Sequence, residues 1–256
     1  MIKRIWVITL FPGYFDALLE GGVAGAALRG ERSENPEDRF ELNCVNPRNF
    51  TPKDFKGVDA GPFGGGAGMV MRADVLKNTF DKGIVEVGGY GENYKDKLHF
   101  VYPCPRGSKW DLNVCKEFAK NSLDFSVDKD IVFLCGRYEG VDERFLKNYV
   151  DEYISLGDFI LTGGELAVMT ILDSAIRYVP GILGNKLSAI EESFEDGLLE
   201  HPVFTKPREF QGELVPDALL SGHHKKIQEY YHNEKLEMTK KYRPDLFEQY
   251  QSKGKK

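Results

Sequence analysis

The chain has 256 residues, 41% of them hydrophobic and 29% charged, an ordinary globular composition with room for one large α/β domain and a small appendage. Its four cysteines are scattered, with no C-x-x-C pair and no histidine-rich partner segment, which argues against a disulfide framework or a zinc cluster and points to a reducing cytoplasm. The net charge of −6 conceals an imbalance, because residues 205–256 hold eleven Lys and Arg against eight Asp and Glu; a basic tail on an acidic body fits a polyanionic partner or a solvated helical face equally well.

The opening "MIKRIWVITLFPGYFD" superficially looks like an export signal, with Lys3 and Arg4 ahead of an apolar run and the small residues "VAGAA" beyond it. The run stops at Pro12-Gly13 and Asp16 follows, so it reads as a first strand leading into a helix over 12–20. No apolar run approaches the roughly 18 residues of a membrane helix.

"RFELNCVN" reads as a second strand, followed by the loop "GPFGGGAGM" and a helix from about Met71 to Lys82. "KLHFVY" gives a third strand and "KWDLNVCKEFAK" a helix; "DIVFLC" and "DEYISL" give the fourth and fifth strands. "GELAVMTILDSAIRYV" is the longest apolar-periodic helix. This repetition predicts an α/β fold with a mostly parallel sheet covered by helices on both faces. The polar stretches 31–39, 87–96 and 121–129 read as surface insertions.

After Pro180 the pattern changes. Residues 181–200 read as a flexible connector, and 201–256 as a small helical domain; residues 1–180 form the main domain. Ser221 is placed as N-cap of a helix carrying His223 and His224, and Pro244 as the start of the last helix.

Ligands of open α/β sheets bind beyond the carboxyl ends of the strands, where glycine and proline accumulate here. Gly61, Gly64, Gly65, Gly66 and Gly68 follow the second strand, residues 103–107 the third, Gly136 and Gly140 the fourth, and Gly157, Gly163 and Gly164 the fifth. Such a rim suits a ligand held largely by main-chain groups. It is not a nucleotide-phosphate site: there is no G-x-x-x-x-G-K-[ST], and 61–69 does not match G-x-G-x-x-G in its required context. No metal-ligand cluster and no nucleophile elbow is evident. Arg137 and Glu139 sit on a tight loop, either as an ion pair closing it or as site residues. Arg177 precedes a connector rich in acids (Glu191, Glu192, Glu195, Asp196), either as a tether or as half of an active-site pair.

The stretches "ITLFPGYF", "VNPRNFT", "PFGGGAGMVM", "LCGRYEGVDER", "SLGDFILTGGELAVMTILDSAIRYVPGILGN", "ESFEDGLLEHPVFTKP" and "VPDALLSGHHKKI" resemble, in order and spacing, the bacterial tRNA (guanine-N1-)-methyltransferases of the trefoil-knot (SPOUT) class. The resemblance runs from residue 8 to residue 227. It implies a deep knot towards the end of the main domain, an exception to the rule against threaded chains. It further implies a homodimer, S-adenosylmethionine as methyl donor with Mg2+ admitted beside it, and tRNA as substrate. The expected reaction is methylation at N1 of the guanosine 3′ to the anticodon, with a preceding guanosine preferred.

Carried onto this sequence, the resemblance assigns donor binding to Tyr102, Pro103, Cys104 and Pro105, and to Gly136, Tyr138, Glu139 and Gly140. The remaining donor contacts fall on Ser155, Leu156, Gly157, Asp158, Phe159, Ile160, Leu161, Gly163 and Gly164. Asp59, Gly68, Arg177, Ser221 and His223 are assigned to the substrate. Glu192 is the implied general base and Arg177 the group near guanine O6; the family's usual base is Asp, and Glu191 and Asp196 are neighbouring acids. These residue types suit the chemistry: N1 of guanine carries a proton at neutral pH, a carboxylate can accept it, and a guanidinium can stabilise charge developing on the base. A knot-fold methyltransferase of another RNA, and an RNA-binding module without turnover, are the alternatives.

Overall fold

The computed structural model describes residues 1–52, 57–184 and 192–253, so Glu191 and most of the first half of the connector lie outside the described residues. The chain divides into two compact units, Met1–Gly184 and Asn185–Lys256.

The first unit is built on a five-stranded sheet. In chain order its strands are β1 (Ile2–Ile8), β2 (Arg39–Val45), β3 (Leu98–Lys109), β4 (Asp130–Leu134) and β5 (Glu152–Ser155). Their order across the sheet is β2-β1-β4-β3-β5, with every neighbouring pair parallel. Successive residues of a strand face opposite sides. Ile5, Val7, Ile131 and Phe133 therefore enter one core, while Trp6, Ile8, Val132 and Leu134 enter a second. The first core is closed by helices α1 (Gly13–Glu20), α2 (Gly22–Leu28), α4 (Leu112–Phe118) and α6 (Glu165–Ile176). The second is closed by α3 (Ala73–Phe80) and α5 (Glu143–Tyr149). Burial on both faces explains why the central strands β1 and β4 read as continuous apolar runs, whereas the edge strand β2 alternates with Arg39, Glu41 and Asn43.

Several features go beyond the sequence reading or differ from it. The small residues "VAGAA" belong to α2, where Ala24, Gly25, Ala27 and Leu28 are buried; an apolar face made of small side chains gives little periodic signal. Lys3 is buried, its Nζ donating to the carbonyl oxygens of Val127 and Lys129 at 2.5 and 2.7 Å, and desolvation lowers its pKa. The stretch 87–96 is not simply a surface insertion. Tyr90 is buried within it, its hydroxyl accepting from Trp6 Nε1 at 2.8 Å and donating to Asp130. Burial first, then the Asp130 hydrogen bond, pushes that phenol up to about 12. Leu123, in 121–129, is likewise buried in the core.

Strand β3 is longer than "KLHFVY" because it leaves the sheet and returns. Its pairing with β5 runs from Val101↔Glu152 to Pro103↔Ile154 and resumes at Ser108↔Ile154, so residues 104–107 loop out of the ladder. Pro103 and Pro105 have no N–H to donate. A Cβ on Gly107 would lie 2.3 Å from the backbone nitrogen of Ile154, so only glycine lets the chain come back this close.

The second unit contains α7 (Asp217–Leu220), α8 (His224–Tyr242) and α9 (Pro244–Lys253), with a short antiparallel ladder between Glu209–Phe210 and Glu213–Leu214. The turn at 192–198 is fastened to α8: Leu199 N–H donates to the buried Thr239 Oγ1 at 2.8 Å, and Lys235 pairs with Asp196. Pro244 begins α9 as expected. Ser221 is not the N-cap of α8. That position is His223, without a side-chain cap, and Ser221 Oγ accepts from the His223 N–H at 3.2 Å. Among the described residues no helix is long and apolar enough to cross a membrane.

Candidate active site

Three neighbouring strand ends, those of β3, β4 and β5, surround a cavity of about 450 Å3 in the first unit. Residues 102–105, 136–140 and 154–164 supply its walls, apart from Asp158, and Ala167 of α6 closes them. Of the residues assigned to the donor by resemblance, Asp158 alone is not on the lining; it is exposed. Arg137, Ile154, Thr162 and Ala167 line the cavity without having been assigned to it. Arg137 was visible in "LCGRYEGVDER", but its partner was not.

That partner is Glu165, not Glu139. Arg137 Nη2 lies 2.8 Å from Glu165 Oε2, Nε donates to Oε1 at 3.2 Å, and Nη1 donates to the Thr162 carbonyl oxygen at 3.1 Å. Glu165 is 1% exposed and also accepts from Thr9 Oγ1 at 2.8 Å. As the first residue of α6 it occupies the helix end where a negative charge is favoured. Burial alone would lower the Arg137 pKa, but the Glu165 hydrogen bond and charge outweigh it and the pKa is raised. The guanidinium also lies over the Phe11 ring, 4.3 Å from its centroid. A Cβ on Gly163 would fall 2.3 Å from Arg137 Nε, so the pair crosses the third loop only because that loop has a glycine there.

Glu139 instead meets the glycine loop. Its Cγ lies 2.4 Å from where a Cβ on Gly68 would be, and Gly68 has φ +82°. Main-chain bonds bind the two loops together, with Glu139 N–H donating to Met69 O at 2.9 Å and Met71 N–H to Gly140 O at 2.9 Å. By contrast, Gly61, Gly64 and Gly65 have open space where a side chain would project, and Phe63 is 98% exposed. One end of "GPFGGGAGM" therefore seals the cavity side while the other faces outward. Asp59 lies on a short ladder with Met71; its charge and hydrogen bond add to burial in raising the pKa of Tyr138, whose backbone takes φ 60°.

The cavity suits a compact organic ligand. Its volume is within the usual range for small-molecule sites, and Phe159, Ile160 and Leu161 present exposed apolar groups along one wall. Burial pushes the Tyr102 phenol up to about 12, so it is neutral at any working pH. Among the described residues no three His, Cys, Asp or Glu side chains gather to hold a metal ion.

Arg177 is the C-cap residue of α6 and is half-buried in the first unit. Glu192 is half-buried in the second unit, at the start of a turn in which its carbonyl accepts from Glu195 N–H at 3.4 Å. Ser221 and His223 lie before α8 and are exposed.

Residues 3–249 match the family described as tRNA (Guanine-1)-methyltransferase TrmD. The chain belongs to that family. It is 40% identical over 247 residues to the tRNA (guanine-N(1)-)-methyltransferase of Lachnospira eligens, covering 96% of each chain. It is also 42% identical over 250 residues to the enzyme of the same name from Clostridium tetani, covering 98% of this chain and 94% of the relative. The protein of that name from Ruegeria is 40% identical over the full length of this chain and 97% of its own.

Proposed function

We propose that this protein transfers a methyl group from S-adenosylmethionine to N1 of the guanosine 3′ to the anticodon of tRNA. One observation carries this reading: three loops far apart in sequence converge on a single cavity, in a chain whose whole length matches the methyltransferase family. We place the donor in that cavity, against the main chain of Tyr102, Pro103, Cys104 and Pro105, with Gly136, Tyr138, Glu139 and Gly140 opposite and residues 155–164 as the third wall.

When bound, S-adenosylmethionine supplies a methyl group on a positively charged sulfur. The protein's part is to orient and to move one proton. Glu192 accepts the N1 proton as the new N–CH3 bond forms, leaving the methylated base neutral. Arg177 stabilises the charge that builds on O6 in the transition state. The loops contribute chiefly by position, turning an encounter of two molecules into a step within one complex. Asp59, Gly68, Ser221 and His223 serve the RNA, and the outward half of the glycine loop serves the RNA or a second copy in a homodimer. Residues 1–180 are the catalytic domain in this reading and 201–256 the tRNA-binding one, in a cytoplasmic enzyme.

The test is methylation with labelled donor and tRNA transcripts. Replacing the guanosine 3′ to the anticodon removes labelling if the proposal holds, and unchanged labelling overturns it. Glu192→Gln lowers the rate of the chemical step while sparing donor affinity; full turnover by that variant removes Glu192 as the base.

A further inference from the structure

The second unit holds a groove of about 450 Å3 to which the proposed function assigns none of its named residues. It is formed by "HPVFT" and the residues that follow it, together with Leu219, Leu220 and Tyr231. Val203 is 75% exposed, Phe204 46% and Leu220 44%, so several apolar groups stand together in water, as at a binding surface. Beside them the lining carries Lys206 and Arg208 and, among the described residues that form it, no Asp or Glu. Its back is rigid. The His201 and Tyr231 rings stack with centroids 3.6 Å apart and planes 5° from parallel. His201 Nδ1 lies 3.1 Å from the Pro202 carbonyl oxygen, which can only accept, so that nitrogen carries the proton.

We propose that this groove binds one unpaired nucleotide of the RNA substrate, its base against Phe204 and Leu220 and its phosphates towards Lys206 and Arg208. Flat apolar and aromatic surface joined to cationic groups is the chemistry by which proteins hold unpaired bases without reading sequence. The excess of basic over acidic residues in 205–256 favours a polyanion over an apolar peptide as occupant. The inference rests on the tRNA reading and adds a base-stacking point to the RNA role already given to Ser221 and His223 in the same unit.

Full-length protein variants test it, through tRNA affinity measured across a salt series alongside donor affinity. Phe204→Ala is expected to weaken tRNA binding about tenfold, the loss typical of one stacked base, with donor affinity unchanged. Phe204→Trp is expected to restore binding. Changing Lys206 and Arg208 together to Gln is expected to flatten the salt dependence by about 1.4 in log–log slope, as for two contacts to a single strand. Phe204 is substantially exposed, so these changes do not threaten folding. Unchanged affinity and slope in a protein that methylates tRNA overturns the groove assignment alone. So does equal binding by the Ala and Trp variants, or a Leu220→Lys variant that dissociates an otherwise stable dimer, which would give the groove to a second copy. A wild type that methylates no tRNA overturns the proposed function; binding of oligouridylate that Phe204→Ala weakens would still support the groove, and binding that it leaves unchanged would overturn it.

Discussion

Arg137 and Glu165, 28 positions apart in the chain, join the loop after β4 to the first turn of α6 through an ion pair at 2.8 Å. The carboxylate is almost wholly buried while the guanidinium reaches the cavity wall. Two walls of the cavity are thus held by one charge pair.

Removing the Glu165 carboxylate takes from the partly buried Arg137 its charge partner and from the buried Thr9 hydroxyl a hydrogen bond. Glu165→Ala is expected to destabilise the protein by about 1–3 kcal/mol, read as a lower denaturation midpoint. The donor, by occupying the cavity, should recover part of the loss. A variant as stable as the wild type would show that Thr162 and solvent suffice for the guanidinium.

The glycine loop divides into a sealed end and an open one, and substitutions separate them. Gly68→Ala forces a side chain into Glu139 and into a left-handed backbone; it should weaken donor binding and lower stability by about 1–3 kcal/mol. Gly65→Val meets only open space at φ +80°. It should spare donor binding but abolish tRNA binding or dimer formation. Calorimetry with donor, filter binding with tRNA and sedimentation distinguish these outcomes, and a fully active Gly65→Val dimer contradicts the role given to the outward half.

Asp142 caps α5, its carboxylate accepting from Arg144 N–H at 2.9 Å. Hydrogen bonding to Arg144 holds its pKa below the ordinary Asp value. A carboxylate depressed in the folded state stabilises it above its unfolded pKa and loses that contribution as pH falls through the folded value. Asp142→Ala should therefore cost about 1 kcal/mol at neutral pH, and the gap from wild type should close below about pH 4. Urea melts at several pH values check this; a gap that widens in acid would refute it.

Tyr90→Phe removes the hydroxyl that links Trp6 to Asp130. The Trp6 N–H then has lost its partner inside the second core, at a cost of about 1–3 kcal/mol. Thermal unfolding measures this, and no change would mean that water replaces the hydroxyl.

The alternation of strand and helix was legible because the central strands are apolar on both sides and the strands run out at Gly or Pro. The loops at the rim were legible for the same reason, and the resemblance assigned them to the methyl donor. Other features were not. Helix α2 packs through glycine and alanine, which carry little pattern. Tyr90 lies in a polar stretch, and its burial depends on Trp6 and Asp130, distant in the chain. The Arg137 partner was not legible: the nearest acid in sequence, Glu139, lies against Gly68 instead, next to the positive-φ backbone of Tyr138 and Gly140. Local charge spacing cannot reveal a pairing that only the folded sheet creates.

The detour of β3 between Pro103 and Ser108 makes the chamber dependent on β5, the last of the sheet's strands in the chain and the one against which both flanks of the detour are registered. During synthesis or refolding, a chain that has laid down β1 to β4 still lacks one whole wall. Under the proposed function, capture of the methyl donor would report finished assembly: its onset in a refolding time course should coincide with the docking of β5 and α6.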